Sequence, residues 1–367
     1  MGNDFEQWVK IALSDQVFPR SAALAILCDP EMNLLRLTAA AGEVRIAYFG
    51  RDVMLHRIND IQNGLCPEDC GYCAQSKISE APIKKYPLKS EEDIIQEAHA
   101  AKAKGVYRYC MVSSGRGPTP ERTQQLAQII RRIKTEVGIQ TCLSAGIMTT
   151  EQTQILKAAG LDRLNHNLNT SAAHTPDIVT THTFQDRINT LEAARSAGLD
   201  LCSGMIVGMG ETDQDIVEVA YTLRDYQVPS IPINFLIPIP GNPIYDCNQL
   251  TPQRCLRILC LFRFVNPKAE IRIGGGREGH LRGLQALALY PANSLFVEGY
   301  LATRGHSVDQ VYQLIQDAGF EIAGDGPRRD NSCTPRVRTS AEQYQLDDNP
   351  NILNPKTTTI CDQLHQQ

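Results

Sequence analysis

From about residue 57 the pattern of apolar and polar positions switches repeatedly between two periods. Short β-prone runs appear at 57–63 (RINDIQN), 106–112 (VYRYCMV), 138–144 (GIQTCLS), 162–167 (DRLNHN), 199–208 (LDLCSGMIVG), 230–236 (SIPINFL), 270–274 (EIRIG) and 293–297 (NSLFV). Longer stretches of helical period separate them. Ser90 with Asp93, Thr183 with Asp186 and Thr212 with Asp215 have the spacing of capping boxes, and Thr119 before Pro120 fits an N-cap followed by proline at the first helical position. Gly105, Gly160 and Gly198 follow apolar-periodic stretches and suit left-handed helix ends. Eight strands alternating with helices predict a closed parallel (β/α)8 barrel of the TIM type, with an open doubly wound sheet as the alternative. Residues 1–50 read as a helical segment capping the barrel, 51–322 as the barrel, and 323–367 as an irregular tail rich in Pro, Asn, Asp and Thr.

Composition narrows the classes. Hydrophobic residues make up 42% of the 367, enough for a large core. The net charge of -5 and a pI near 5.9 imply no broad basic face, so nucleic acid is not an expected partner. No apolar run reaches the roughly 18 residues of a membrane span, and the polar start MGNDFEQWVK lacks the apolar centre of a signal peptide. A cytoplasmic location is therefore expected. Twelve cysteines in such a chain point to metal or catalysis before disulfides.

Three of the twelve crowd into NGLCPEDCGYC, where Cys66, Cys70 and Cys73 are spaced Cys-x3-Cys-x2-Cys just after the first strand. A disulfide conflicts with the compartment. A structural zinc site wants four ligands, usually in two Cys-x2-Cys pairs. A ferredoxin-type cluster wants a fourth cysteine at short spacing, and none follows before Cys110. A 4Fe–4S cluster held by three thiolates, with one iron open to a ligand, is the fourth reading. Gly64 and Gly71 relieve backbone crowding there, and Tyr72 is placed to stack on a bound base or to lie over the cluster as a lid.

Three more cysteines lie inside predicted strands: Cys110, Cys142 and Cys202, with Arg272 in a fourth. A lone buried cysteine usually behaves as a small hydrophobe. Three in separate strands of one barrel, with an arginine, are able to meet at one level of the interior as a shared metal centre. Cys255 and Cys260 lie in helix-like sequence, and with Cys28 and Cys247 they fit the hydrophobe reading; Cys333 and Cys361 receive no role.

The cysteine triad with an aromatic before its last member resembles the radical S-adenosylmethionine enzymes. Over residues 55–305, the stretches YRYCMVSSGRGP, QTCLSAG, LCSGMIVGMGET and EIRIGGGRE are similar to the biotin synthase family within them. The resemblance implies a 4Fe–4S cluster on Cys66, Cys70 and Cys73 that binds S-adenosylmethionine and cleaves it to a 5'-deoxyadenosyl radical. It implies a 2Fe–2S cluster on Cys110, Cys142, Cys202 and Arg272. It places Tyr72, Ser113, Asn167, Asn169 and Ile206 at S-adenosylmethionine, and Asn167 and Asn234 at the substrate, dethiobiotin. Asn169 departs from members that carry Asp there. Sulfur insertion into dethiobiotin, with two S-adenosylmethionine per turnover, is the implied reaction. Flavodoxin or ferredoxin as electron donor, iron–sulfur assembly machinery and a homodimer are the implied partners.

Other readings remain beside this one. A hydrogenase-cofactor maturase or mutase of the same branch needs the first triad but not the strand cysteines; an iron–sulfur carrier or structural zinc protein needs neither Asn167 nor Asn234. Guanidinium normally offers only donors, so Arg272 is chemically easier as a hydrogen-bond donor to cluster sulfide than as an iron ligand. His166, with no acid or serine near it in sequence, reads as a structural histidine with its hydrogen bonds satisfied. GGGREG at 274–279, with Glu298 about 20 residues on, mimics a dinucleotide fingerprint but follows the seventh strand of eight.

Overall fold

The computed structural model describes residues 4–14, 16–244, 250–301, 303 and 305–323. The expected barrel is present. Strands β1 (Asp52–Gln62), β2 (Arg108–Ser113), β3 (Gln140–Ser144), β4 (Arg163–Asn165), β5 (Asp200–Cys202), β6 (Met205–Val207), β7 (Ser230–Phe235), β8 (Glu270–Ile273) and β9 (Ser294–Val297) pair in parallel, and β1 against β9 closes the sheet. β5 and β6 share one position between β4 and β7, so the barrel has eight staves. A short β10 (Glu321–Ile322) adds to the start of β1.

Two strands differ from their predicted form. The run 199–208 is broken at Ser203–Gly204. A side chain at Gly204 would put its Cβ 1.8 Å from the Pro232 carbonyl oxygen, so glycine is required where this stave passes β7. β1 begins at Asp52, five residues early, because buried Val53, Leu55 and His56 continue the strand toward β9.

Local signals mostly hold. Thr183/Asp186 and Thr212/Asp215 form full capping boxes, Thr119 caps the helix that opens at Pro120, and all three C-terminal glycines are left-handed. Ser90 accepts from the Asp93 N–H, but the Asp93 carboxylate turns to the Ser90 hydroxyl (2.7 Å). Boxes at Thr149/Gln152 and Ser307/Gln310 carry the same signature with Gln as the fourth residue.

Outward-facing strand residues such as Met111, Leu143, Leu164, Ile231 and Ile271 are fully buried against the helical layer. The N-terminal helices Phe5–Ala12, Arg20–Cys28 and Leu34–Phe49 lie on the outside of that layer, against helices Asp213–Asp225 and Pro252–Val265. Trp8, Phe18 and Phe264 form the contact, with Phe18 stacked on Phe264 at 5.2 Å between ring centres. No helix among the described residues is long and apolar enough to cross a membrane. Cys247, and the tail from residue 324 with Cys333 and Cys361, lie outside the described residues.

Candidate functional site

Inward positions of a small barrel are usually filled by branched aliphatics. Here they are polar and sulfur-bearing. Cys110, Cys142, Cys202 and Arg272 are each the third residue of their strand, and Cys110 pairs directly with Cys142 across the β2–β3 ladder. Cys110, Cys142 and Cys202 form one buried cluster with Phe296, edged by Ile58 and Tyr300. The Cys142 thiol is hydrogen-bonded to both Cys110 and Cys202. Arg272 Nη1 lies 3.6 Å from Cys202 Sγ. The four residues separated by up to 162 positions in sequence therefore converge.

Beneath them lies a charged floor that the sequence reading missed. Glu270 Oε2 pairs with Arg163 Nη1 at 2.8 Å, its Oε1 with His56 Nε2 at 2.8 Å and with Arg272 Nη2, and Ser230 Oγ accepts from that same Nη2 at 2.8 Å. Arg108 is buried alongside and donates to the Thr141 carbonyl. Burial, followed by the field of Arg272, pushes His56 down to about 3, so it is neutral. Two buried guanidiniums, Arg163 and Arg272, thus share one buried carboxylate, with Arg108 a third buried cation nearby; Asp200, 3.9 Å from Arg163, stands largely in solvent. Buried charge needs a counter-charge. Thiolates, or an anionic cluster bound to them, supply it. Cys110 is pulled down by its hydrogen bond from Cys142 and, against burial, by Arg272; Cys142 is pushed up to about 12, first by that same bond. The donor set fits a group carried by three thiolates beside a cation.

The second triad sits on the loop after β1. Cys66 is half-buried, Cys70 buried, and Cys73 half-buried. The loop folds on itself through Cys66 N to Gln75 O (3.4 Å), Lys77 N to Glu68 O (3.0 Å) and Cys73 N to Cys70 O (3.1 Å). It is tied to the far wall by Asp69 with Thr180 and Thr181, and by Glu68 with Thr181, His182 and Arg116 (3.0 Å). Cys70 packs with Ile178, Val179, Met209 and Leu236, and Tyr72, Cys73 and Ile206 complete that patch. Burial pushes the Cys70 thiol up to about 12 and raises Cys66 and Cys73 as well. Such thiols give up their protons to a metal rather than to water. Three thiols on one loop with no fourth fit the open-iron cluster of the family resemblance.

Among the described residues no group of three or more His, Cys, Asp or Glu side chains is arranged to hold a single metal ion. A cluster asks for a different arrangement, in which each thiolate meets its own iron and the donors surround a body of iron and sulfide.

A ladder of alternate residues on β4 and its following loop joins floor to loop. Arg163 reaches Glu270, Asn165 Nδ2 reaches Cys202 Sγ (3.2 Å) and Asn167 Oδ1 (3.1 Å), and Asn167 Oδ1 also accepts from Gly204 N (3.1 Å). Asn169, with φ of 68°, is hydrogen-bonded to the Tyr72 hydroxyl; its amide oxygen is best turned to that hydroxyl and to Arg187 Nη1 and Nη2 at 3.3 Å. The period of two along β4 puts Arg163 and Asn165 on one face, and the hydrogen bonds of the following loop bring Asn167 and Asn169 into line with them. Arg163 and Asn165 were legible in RLNHNLN by that alternation.

The remaining expected residues are placed as follows. Ile206 lies against the Cys70 patch. Ser113 ends β2 opposite Gln62. Asn234 spends its amide on the fold, accepting from Gly275 N (2.9 Å) and donating to the Met205 carbonyl (3.3 Å). Gly274 and Gly276 pass close to Asn234 and the Phe235 carbonyl, and Glu298 pairs with Arg57 (2.7 Å) and Lys104. The acid of the dinucleotide-like pattern is thus consumed in surface ion pairs. His166 is a correction: it is buried, burial with Arg187 holds it neutral, and its Nε2 has no partner among the described residues. Cys255 and Cys260 are buried in helix Pro252–Val265, as small hydrophobes, whereas Cys28 is exposed.

Residues 63–223 match the Radical SAM superfamily, and residues 232–321 the Biotin and Thiamin Synthesis associated domain. Biotin synthase of Acaryochloris marina (strain MBIC 11017) is 82% identical to this chain over 346 residues, covering 94% of it and 98% of that protein. The chain belongs to the biotin synthase family. A second member, biotin synthase of Magnetococcus marinus (strain ATCC BAA-1437 / JCM 17883 / MC-1), is 52% identical over 85% of this chain and 97% of that protein. Among solved structures, the FeFe-hydrogenase maturase HydG from Carboxydothermus hydrogenoformans aligns over 87% of this chain and 79% of that one, with a TM-score of 0.73 and 17% identity. That likeness shows a shared fold and carries nothing about reaction.

Proposed function

We propose that this chain makes biotin from dethiobiotin by radical-based sulfur insertion, consuming two S-adenosylmethionine per turnover. The observation that carries the reading is the meeting of the Cys110, Cys142 and Cys202 thiols beside Arg272 above a floor with excess positive charge. A maturase or mutase needs only the Cys66, Cys70, Cys73 loop.

When bound, a 4Fe–4S cluster with S-adenosylmethionine supplies hydrogen abstraction from unactivated carbon, and a 2Fe–2S cluster supplies sulfide. Cys66, Cys70 and Cys73 hold the first group, and Cys110, Cys142 and Cys202 the second. Arg272 presents Nη1 to the inner thiols, while Glu270 and Ser230 hold its Nη2. That anchoring supports Arg272 as a charged donor or a ligand at that face. Tyr72, Asn169 and Ile206 border the loop triad and form the S-adenosylmethionine wall, with the Asn169 amide facing a hydroxyl rather than supplying charge. Ser113, which ends β2 opposite Gln62, is assigned to S-adenosylmethionine as backbone support. Asn167 and Asn234 are assigned to dethiobiotin through the family resemblance; Asn167 Oδ1 already accepts from Asn165 and Gly204, and the Asn234 amide is held by Gly275 N and the Met205 carbonyl, so both would meet substrate as pre-positioned groups. The apolar faces of Ile206, Met209 and Leu236 exclude water, which a carbon radical requires.

A cytosolic location fits thiols that must stay reduced, and a small electron-carrier protein such as flavodoxin or ferredoxin, iron–sulfur assembly machinery and a second copy of the chain complete the reading as partners. Anaerobic reconstitution with iron and sulfide counting tests it: about six irons per chain match both clusters, and about four match the maturase-type alternative. Absence of biotin after incubation with dethiobiotin, S-adenosylmethionine and reductant overturns the assignment.

A further inference from the structure

Of the first triad, Cys66 is the cysteine toward the surface, and the residue before it is conspicuous. Leu65 is 71% exposed, the most exposed large hydrophobe among the described residues, and its φ is 56°. A branched side chain in the left-handed region costs about 1–2 kcal/mol, so the backbone is held there by its surroundings. Gly64 before it is left-handed too, at 72°, and the stem of Lys85 lies where a Gly64 side chain would go. The two residues turn Leu65 outward, away from the apolar patch around Cys70.

The rim around Leu65 is basic on an acidic chain. The returning arm of the loop brings exposed Lys77 and Ile78 (44% exposed) beside residues 66–68. Asn63 bridges to Tyr86 and donates to the Lys84 carbonyl (2.7 Å), which sets exposed Lys84 and Lys85 on the other side. Lys77, Lys84 and Lys85 make no ion pair among the described residues. Arg116, half-exposed, follows Gly115, whose N–H bonds the Cys66 thiol. Glu80 is the one exposed acid within residues 63–89. Solvated lysines alone are ordinary surface. Lysines without partners, around a strained outward leucine next to the outermost cluster thiol, are not.

We propose that Leu65, Ile78, Lys77, Lys84, Lys85 and Arg116 form the docking surface for a small acidic electron-carrier protein that reduces the group held by Cys66, Cys70 and Cys73. The proposal rests on the functional reading above. Charge complementarity selects an acidic partner and steers it, and the two apolar side chains give a small dry contact over the shortest route in; electron-transfer encounters have interfaces of under about 1,200 Å². At each encounter one electron passes, the carrier is oxidised by one and the bound group reduced by one, with no bond made or broken.

The test uses the reconstituted holoenzyme with purified flavodoxin as probe, in wild type, K84E/K85E and L65S, after iron content and circular dichroism show intact protein. Titration with oxidised flavodoxin gives affinity, and stopped-flow mixing with its hydroquinone gives the reduction rate; dithionite, a small ion needing no docking surface, is the control. Wild-type affinity falls as salt rises, K84E/K85E lowers affinity and rate about tenfold or more at low salt, and L65S lowers them less, while reduction by dithionite is unchanged. Unchanged flavodoxin affinity and rate in K84E/K85E overturn the docking surface. Protein that binds flavodoxin and is reduced by it but makes no biotin overturns the functional reading alone.

Discussion

Glu270→Gln isolates the charge imbalance at the barrel floor. The substitution keeps the side chain's volume and one oxygen, but it places an NH2 against Arg163 Nη1 or against His56 and Arg272, each 2.8 Å or closer to the present carboxylate. It also removes the buried carboxylate shared by the two buried guanidiniums of Arg163 and Arg272. Taking one partner from a buried ion pair costs about 3–5 kcal/mol, against a typical total stability of about 5–15 kcal/mol. Urea unfolding of the cluster-free, reduced protein reads this as a midpoint about 1 M or more lower at a slope near 3 kcal/mol/M. Glu218→Gln is the matched control: its pair with Arg20 is about half exposed on both sides, and its loss costs under about 1 kcal/mol. If Glu270→Gln costs no more than Glu218→Gln, the floor does not hold uncompensated cations, and the physical case for an anionic guest at the inner thiols fails.

Further outcomes follow from other positions. Gly204→Ala drives a methyl group into the Pro232 carbonyl, so the β5–β6 stave must shift and the protein should lose more than about 3 kcal/mol in denaturant unfolding, or fail to accumulate folded. Among the described residues neither Asp60 carboxylate oxygen has a hydrogen-bond partner, and burial pushes the group up to about 7 from 3.8. With the folded value above the unfolded one, the native state keeps a proton that the unfolded state releases, so this group's contribution to stability falls as pH rises from about 4 to 7. Asp60→Asn should flatten that decline, by about 1–2 kcal/mol after allowing for partial exposure, in unfolding measured at pH 5 and pH 8. Tyr72→Phe removes the hydroxyl bonded to Asn169 and should cost about 1 kcal/mol with no change in circular dichroism.

The sequence by itself determined the local and the repetitive features. Alternating periods located the eight staves, Ser/Thr caps and glycines marked helix ends, and tight spacing put Cys66, Cys70 and Cys73 on one loop, because all of these act over a few residues of chain. It also carried enough identity to assign the family. Only the tertiary structure decided what met across the barrel. Register placed Cys110 opposite Cys142, and curvature brought Cys202 and Arg272 to them from residues far along the chain. The Glu270–His56–Arg163 floor was invisible for the same reason: each residue sits in an unremarkable strand, and its charge acquires meaning only where desolvation makes every unpaired cation costly. Asn234 shows the converse, since a residue marked for substrate spends both ends of its amide on neighbouring backbone that sequence spacing does not reveal.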